Sequence, residues 1–125
     1  VVATGRSDFP NQVNNSLSFP GIFRGVLDVR ASTITDEMCF AAAEALAAAV
    51  GDSLDQEHLL PRMMDMEIYP LQAAAVGLKA QEQGIAGLRP SRSELLNRAE
   101  FMIGLAQSST DVLMETNCIP PLPEN

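Results

Sequence analysis

A short apolar run, Val1-Val2-Ala3, closes at Thr4-Gly5 and gives way to the polar stretch Arg6-Ser7-Asp8-Phe9-Pro10-Asn11-Gln12. The run predicts a buried β-strand, and Pro10 among Asn, Asp and Ser predicts a loop. A strand at residue 1 needs neighbours for its backbone N–H and C=O groups, and later segments offer few. The expectation is therefore that its partner strands belong to sequence upstream. From about Asn14 to Arg30 the spacing turns helical, with Leu17, Ile22, Phe23, Val26, Leu27 and Val29 able to share a broad face. Pro20 either occupies the first turn of a helix starting near Ser18 or kinks a longer one.

The clearest helix follows. Thr33 or Thr35 can cap it, Asp36 and Glu37 suit its first turn, and it runs from Met38 through Val50 to a stop at Gly51. Residues 52–69 read as a connector punctuated by Pro61 and Pro70, with Leu59, Leu60, Met63, Met64 and Met66 expected to pack inward. A second alanine-rich helix is expected from about Leu71 to Gln83, ending at Gly84. Gly87 and Pro90 make a turn. Ser91 or Ser93 then caps a further helix whose apolar face is Leu95, Leu96, Ala99, Met102, Ile103 and Ala106, with Val112–Met114 as an extension. The Pro-rich end, residues 119–125, cannot be helix and reads as an extended tail or linker.

At 125 residues the chain fits one domain, and its 46% hydrophobic content is far from a disordered composition. Much of that content is alanine, which favours helix but buries little area per residue. Net charge is −8, and the eight basic residues never cluster, which excludes the basic stripe a nucleic-acid partner requires. No run reaches the length of a membrane span, and no signal peptide opens the chain. Cys39 and Cys118 are too few and too far apart for a disulfide framework or zinc site, so reduced thiols in a cytoplasmic setting are expected.

Chemistry concentrates in the loop after the first strand. In open α/β sheets ligands bind at the carboxyl ends of strands, where loops lead into helix N-termini. The loop here, Gly5 to Asn15, holds three asparagines and a glutamine within five residues, counting Asn11, Gln12, Asn14 and Asn15. Such amides donate and accept without charge, and beside a helix N-terminus they suit a small carboxylate. The same residues also suit turns and caps.

The run Ala3-Thr4-Gly5-Arg6-Ser7-Asp8-Phe9-Pro10-Asn11-Gln12-Val13-Asn14-Asn15, followed by Phe19-Pro20-Gly21-Ile22-Phe23-Arg24-Gly25, closely resembles the bacterial-type malic enzymes. The resemblance continues through Asp36-Glu37-Met38 and the alanine helix, weakens from Leu60-Pro61 through Val76, and fades after Ala86. It implies an α/β fold: the C-terminal portion of a Rossmann-like NAD(P)-binding domain over residues 1–118, with one N-terminal strand followed by three or four helices and a mostly α composition in this piece. It implies NAD- or NADP-dependent oxidation of malate, with decarboxylation to pyruvate and CO₂, assisted by Mg or Mn.

By the same match, Asn14 would hydrogen-bond the malate carboxylate. Asn15 would support substrate or the nicotinamide ribose, and Gly5 would leave room for the cofactor. The family's catalytic Tyr and Lys, its Glu/Asp/Asp metal ligands and its Gly-rich pyrophosphate fingerprint lie upstream of the matched region. No catalytic or metal role therefore falls on this piece, which alone is expected to be inactive, and nothing is carried onto Tyr69 or Lys79. Tyr69 reads as a connector residue with a wet hydroxyl and Lys79 as a solvated charge. Partners would be malate or pyruvate, the missing N-terminal catalytic half, and further copies in a homo-oligomer. The alternative is a non-catalytic ligand-binding or oligomerisation module derived from that domain.

Three other features read more blandly. Gly51-Asp52-Ser53-Leu54-Asp55-Gln56-Glu57-His58 gathers three carboxylates and the sole His, yet reads as a solvated turn and cap, not a metal site. Gly21 and Gly25 suggest close helix packing. Met63, Met64 and Met66 fill either a core gap or an adaptable surface, and Arg6 either pairs with Asp8 or faces an anion.

Overall fold

The computed structural model describes residues 1–120. Its regular elements are four α-helices: α1 (Phe19–Val29), α2 (Asp36–Val50), α3 (Ile68–Glu82) and α4 (Arg92–Glu115), with single 3₁₀ turns at Asn15–Leu17 and Gly51–Ser53. Only residues 119 and 120 of the expected Pro-rich tail are described; the rest of that stretch lies outside the described residues.

Local signals explain most boundaries. Pro20 sits in the first turn of α1, where its missing N–H costs nothing, so the helix starts without a kink. Arg30 closes α1 in the left-handed region at φ 52. The Thr35 hydroxyl accepts from Met38 N at the start of α2, and Gly51 ends it at φ 54. α3 begins at Ile68, three residues before the expected Leu71, because Pro70 fits inside a first turn as well as before one. Ser91 and Glu94 form a reciprocal capping box at α4.

The expected opening strand is not formed. Val1 and Val2 are 81% and 68% exposed, and pairing is limited to one parallel bridge between Thr4 and Gln12. Among the described residues no strand runs alongside Val1–Ala3; the Val2 carbonyl accepts only from the Asn11 side chain at 3.0 Å, and an unpaired strand has no ladder to hold it.

α3 is the hub. It packs against α1, α2 and α4, and buries Ile68, Tyr69, Gln72, Ala73, Val76 and Gly77 over most of its surface, leaving a stripe through Ala75, Lys79 and Glu82 toward solvent. A helix so largely buried belongs in a core, and its alanines let three neighbours approach at once. One cluster joins Val29, Met38, Ala42, Ala74, Val76 and Leu95; a second joins Leu17, Leu46, Ile68 and Tyr69.

The buried face of α1 agrees with the expected one only in part. Leu17 and Val29 are buried and Ile22 and Val26 pack on the core, but Phe23 and Leu27 are exposed and Gly21, Gly25 and Asp28 are buried instead. A Cβ on Gly25 would lie 2.5 Å from the Ala73 carbonyl oxygen and 2.8 Å from Val76 Cβ, and one on Gly21 would lie 2.6 Å from Gln72 Cβ. The glycines are the contact itself, so the larger side chains point away. Asp28, fully buried beside them, accepts from Arg24 at 3.0 and 2.5 Å and forms an ion pair with Arg98 of α4 at 2.9 Å.

In the connector, Leu60 and Met66 pack on the second cluster, but Met63 and Met64 are exposed. Tyr69 is not a wet connector residue. It is buried in the first turn of α3, its hydroxyl donates to the Met63 carbonyl at 2.8 Å, and burial followed by Asp65 raises its pKa. The Asp55 carboxylate closes a turn by accepting from Glu57 N at 2.7 Å and His58 N at 2.9 Å. Lys79 pairs with Glu82 at 2.5 Å on the surface of α3.

Gly25→Ala is expected to destabilise by about 2–3 kcal/mol through overpacking against backbone. Gly104→Ala, where a Cβ meets nothing within 4 Å, is expected to stabilise by roughly 0.5–1 kcal/mol. Urea unfolding of both checks the pair; equal effects would remove the glycine-contact explanation. The Asp55 turn predicts a pH dependence. The Glu57 N–H, then the His58 side chain, depress its carboxyl below the ordinary range. The turn is therefore fully held above the unfolded-state value near pH ~4, and is lost as pH falls through the depressed value. The protection factor of the Glu57 amide, the intrinsic exchange rate over the observed rate at each pH, should fall only below about pH 4; a factor unchanged down to about pH 2 would contradict it.

Candidate functional site

The loop preceding α1 is built by its own backbone. Thr4 N donates to the Asn11 carbonyl at 3.2 Å, and Val13 N to the Thr4 carbonyl at 2.8 Å, folding residues 4–13 into a closed loop. Arg6 is not free for an anion. Its guanidinium forks onto Asp8 at 2.8 and 2.5 Å and lies 5.1 Å over the Phe9 ring. The pairing lowers the Asp8 carboxyl and raises the Arg6 guanidinium.

Asn14 is the cap of the 3₁₀ turn. Its Oδ1 accepts from Ser16 N at 3.0 Å, and its carbonyl accepts from Leu17 N at 3.1 Å. A backbone N–H can only donate, so this bond orients the amide and leaves Nδ2 as the group that can face a ligand. Asn15 is exposed beside it. The turn is held by Leu17, which is buried in the second cluster, and by Ser18 N donating to the Asn15 carbonyl at 3.0 Å. Asn14 and Asn15 therefore lie together, on a fixed turn, one step before the N-terminus of α1. Gly5 lies on the exposed arm of the loop. A Cβ there would make only ordinary contact, 3.7 Å from the Val13 carbonyl oxygen.

Asn11 was grouped with the other amides as a possible ligand residue, but it is structural. It is 7% exposed at φ 57. Its Nδ2 donates to the carbonyls of Val2 at 3.0 Å and Gln56 at 2.8 Å, and its Oδ1 accepts from Leu59 N at 2.8 Å. The readable signal was its position after Pro10 in a tight loop, since asparagine tolerates a left-handed backbone.

Beside the asparagine turn runs an apolar groove of about 590 Å³, whose lining includes Ser16, Pro20, Arg24, Met63, Tyr69 and Met102. The methionines serve both readings: all three line this groove, and Met66 also packs on the second cluster. The acidic stretch at 51–58 is a solvated turn, and among the described residues no three His, Cys, Asp or Glu side chains come together as a metal site. Cys39 and Cys118 are free and exposed. No described helix is long and apolar enough to cross a membrane.

Side-chain amides held at a turn can bind a carboxylate or carboxamide by hydrogen bonding. They supply no nucleophile, no base and no charge. The donor set fits one end of a small acid or a nicotinamide, and it does not fit a divalent cation.

Comparison with known proteins gives this loop its context. Residues 1–81 match the family described as malic enzyme, NAD binding domain. The chain is 50% identical over 99 residues to the bifunctional malic/malolactic enzyme of Bacillus subtilis, covering 78% of this chain and 24% of that protein. It is 43% identical over 101 residues to the NADP-dependent malic enzyme of Escherichia coli, covering 69% of this chain and 13% of that one. The crystal structure of Entamoeba histolytica malic enzyme superposes with a TM-score of 0.93 at 39% identity, over 98% of this chain and 26% of that one. Malic enzyme from Pyrococcus horikoshii follows with a TM-score of 0.83 at 42% identity, over 86% and 25%. The chain thus spans about a quarter or less of the length of these relatives. With the matched stretch holding the asparagine loop and α1 to α3, the chain belongs to the malic enzyme NAD-binding domain family.

Proposed function

We propose that this chain serves a malic enzyme, in which malate and NAD(P)⁺ give pyruvate, CO₂ and NAD(P)H, and that its share of the work is to orient substrate and nicotinamide. The single observation that carries the reading is the fixed turn presenting Asn14 Nδ2 and the exposed Asn15 at the head of α1, within a chain of this family. Asn14 donates to a malate carboxylate. Asn15, its neighbour, contacts substrate or the nicotinamide ribose. Gly5, exposed and without a side chain, keeps the approach open for the cofactor. Hydrogen bonds from groups already held in place align the C–H to be transferred with the nicotinamide, which is where positioning lowers a barrier.

The acid, base and metal ligands belong to the remainder of the enzyme in this reading. When bound, Mg or Mn supplies Lewis-acid polarisation of the substrate oxygen. The described residues offer no cluster to ligate it, and none of the chain's own steps depends on doing so. The unpaired, exposed Val1–Val2 segment supports a Rossmann-like arrangement in which neighbouring strands of the enzyme complete a sheet. Free, exposed cysteines fit a reducing, cytoplasmic setting.

Homo-oligomeric assembly is also proposed. It is supported by α4 from Phe101 onward, where Phe101, Leu105, Val112, Leu113 and Met114 are exposed on a helix segment with little to pack on. Half-helices of this length are marginal in water unless a neighbour covers their apolar side.

Asn14→Ala in the full-length enzyme is expected to raise the malate KM about tenfold or more and to lower kcat, by losing a hydrogen bond to a charged group. Steady-state kinetics with malate varied at saturating NAD(P) tests it; unchanged constants would sink the assignment. Light scattering of the same enzyme should give at least twice the protomer mass, and Leu105→Glu should reduce it. A monomeric wild type would remove the assembly proposal.

A further inference from the structure

We infer that Asn11 is a positioning residue for malate, a clamp that ties the asparagine turn to the connector between α2 and α3 and so sets where Asn14 stands. This rests on the reading of Asn14 as a malate ligand and adds to it a residue that touches no substrate.

The argument starts from how residues 12–16 are held. At one end Leu17 is buried and leads into α1, which is locked on α3. At the other end the only side chain that reaches out of the loop into the body is that of Asn11, among the hydrogen bonds of the described residues 4–13. Its three bonds all go to backbone, so they fix chain position and not another side chain's rotamer. Two of them go to the connector, at Gln56 O and Leu59 N, and the third returns to Val2 O. Asn14 lies three residues from this clamp.

The residue type is what the position demands. The backbone at φ 57 admits glycine or asparagine readily. The amide alone adds two donors and an acceptor, and all three are used in a buried site. Without the clamp the loop keeps its Thr4–Val13 closure and the exposed Ser16 Oγ contact to Met63 Sδ, but its Asn11 end loses both backbone ties to the connector. A displacement of donor atoms of order 1 Å is enough to cost up to about a hundredfold in catalysis.

Two substitutions separate positioning from stability. Asn11→Gly and Asn11→Ala both remove the three bonds, but only alanine also strains the left-handed backbone. In the full-length enzyme both are expected to raise the malate KM by a similar factor, about tenfold. Both should leave the NAD(P) KM within about twofold and lower kcat in the same sense as Asn14→Ala. The thermal midpoint should be lower for alanine than for glycine. A malate KM that follows the thermal midpoint, worse in alanine than in glycine, would overturn the inference, as would equal rises in the KM for malate and for NAD(P). Asn14→Ala serves as the control. If it leaves the malate KM unchanged, the underlying site reading fails; if it raises the KM while both Asn11 variants do not, the clamp alone fails.

Discussion

The arrangement depends on the contact of α1 with α3, where glycine stands on α1 and backbone or Cβ atoms stand opposite. Gly25 faces the Ala73 carbonyl and Val76, Gly21 faces Gln72, and Gly77 on α3 admits Val29 and Leu95. At such separations there is no room for a methyl group, and dispersion and backbone fit take the place of large side chains. That is how a chain rich in alanine, with little area per residue to bury, still obtains a defined core. The consequence for the site is direct. The asparagine turn is covalently continuous with α1, and α1 cannot slide on α3 without colliding with it.

Polar groups inside this core add direction to the contact. Asp28 is fully buried, and without Arg24 and Arg98 it would be an unpaired charge in a low-dielectric setting. Arg24 comes from the same helix and Arg98 from α4, so the pairing fixes where α4 crosses α1 as well as neutralising the carboxylate. Gln72 is buried between Ser18 and the Ala42 carbonyl, with its Nε2 3.4 Å from each, and its Oε1 has no partner among the described residues. A buried acceptor left open is costly, and its retention here follows from geometry: the Gly21 backbone presses against the same side chain.

Helix ends were legible in the sequence because caps are local. Thr35, Gly51, Ser91 and Gly84 each act within a few residues of themselves; the two glycines stand where expected, and Thr35 and Ser91 are each one of the two caps expected there. The face of α1 was legible only in part from apolar count. Phe23 and Leu27 outweigh glycine on any hydropathy pattern, yet a glycine contact is invisible until the partner helix is known. The opening strand failed for the complementary reason: strand formation is a property of a pair, and its apolar composition says nothing of whether a neighbour is present. Within the candidate site, family resemblance pointed to Asn14 and Asn15 and local physics only to an amide-rich turn. The distinct work of Asn11 depends on a partner 45 residues away, at Gln56, which no short-range pattern contains.

The electrostatics of the chain explain why neutral amides suit this loop. With net charge −8, the chain repels a dicarboxylate at long range, the loop's own cation, Arg6, is paired with Asp8, and Arg24 in the adjoining groove is paired with Asp28. Amides held by a capped turn add no charge and so give orientation more than affinity. The attraction that brings an acid to such a surface must then come from cations outside this chain, while the turn decides which way the bound acid points. In the role proposed for it, loss of a single amide here should matter most where geometry matters most, in the alignment of the transferred hydrogen, and least in the long-range capture of substrate.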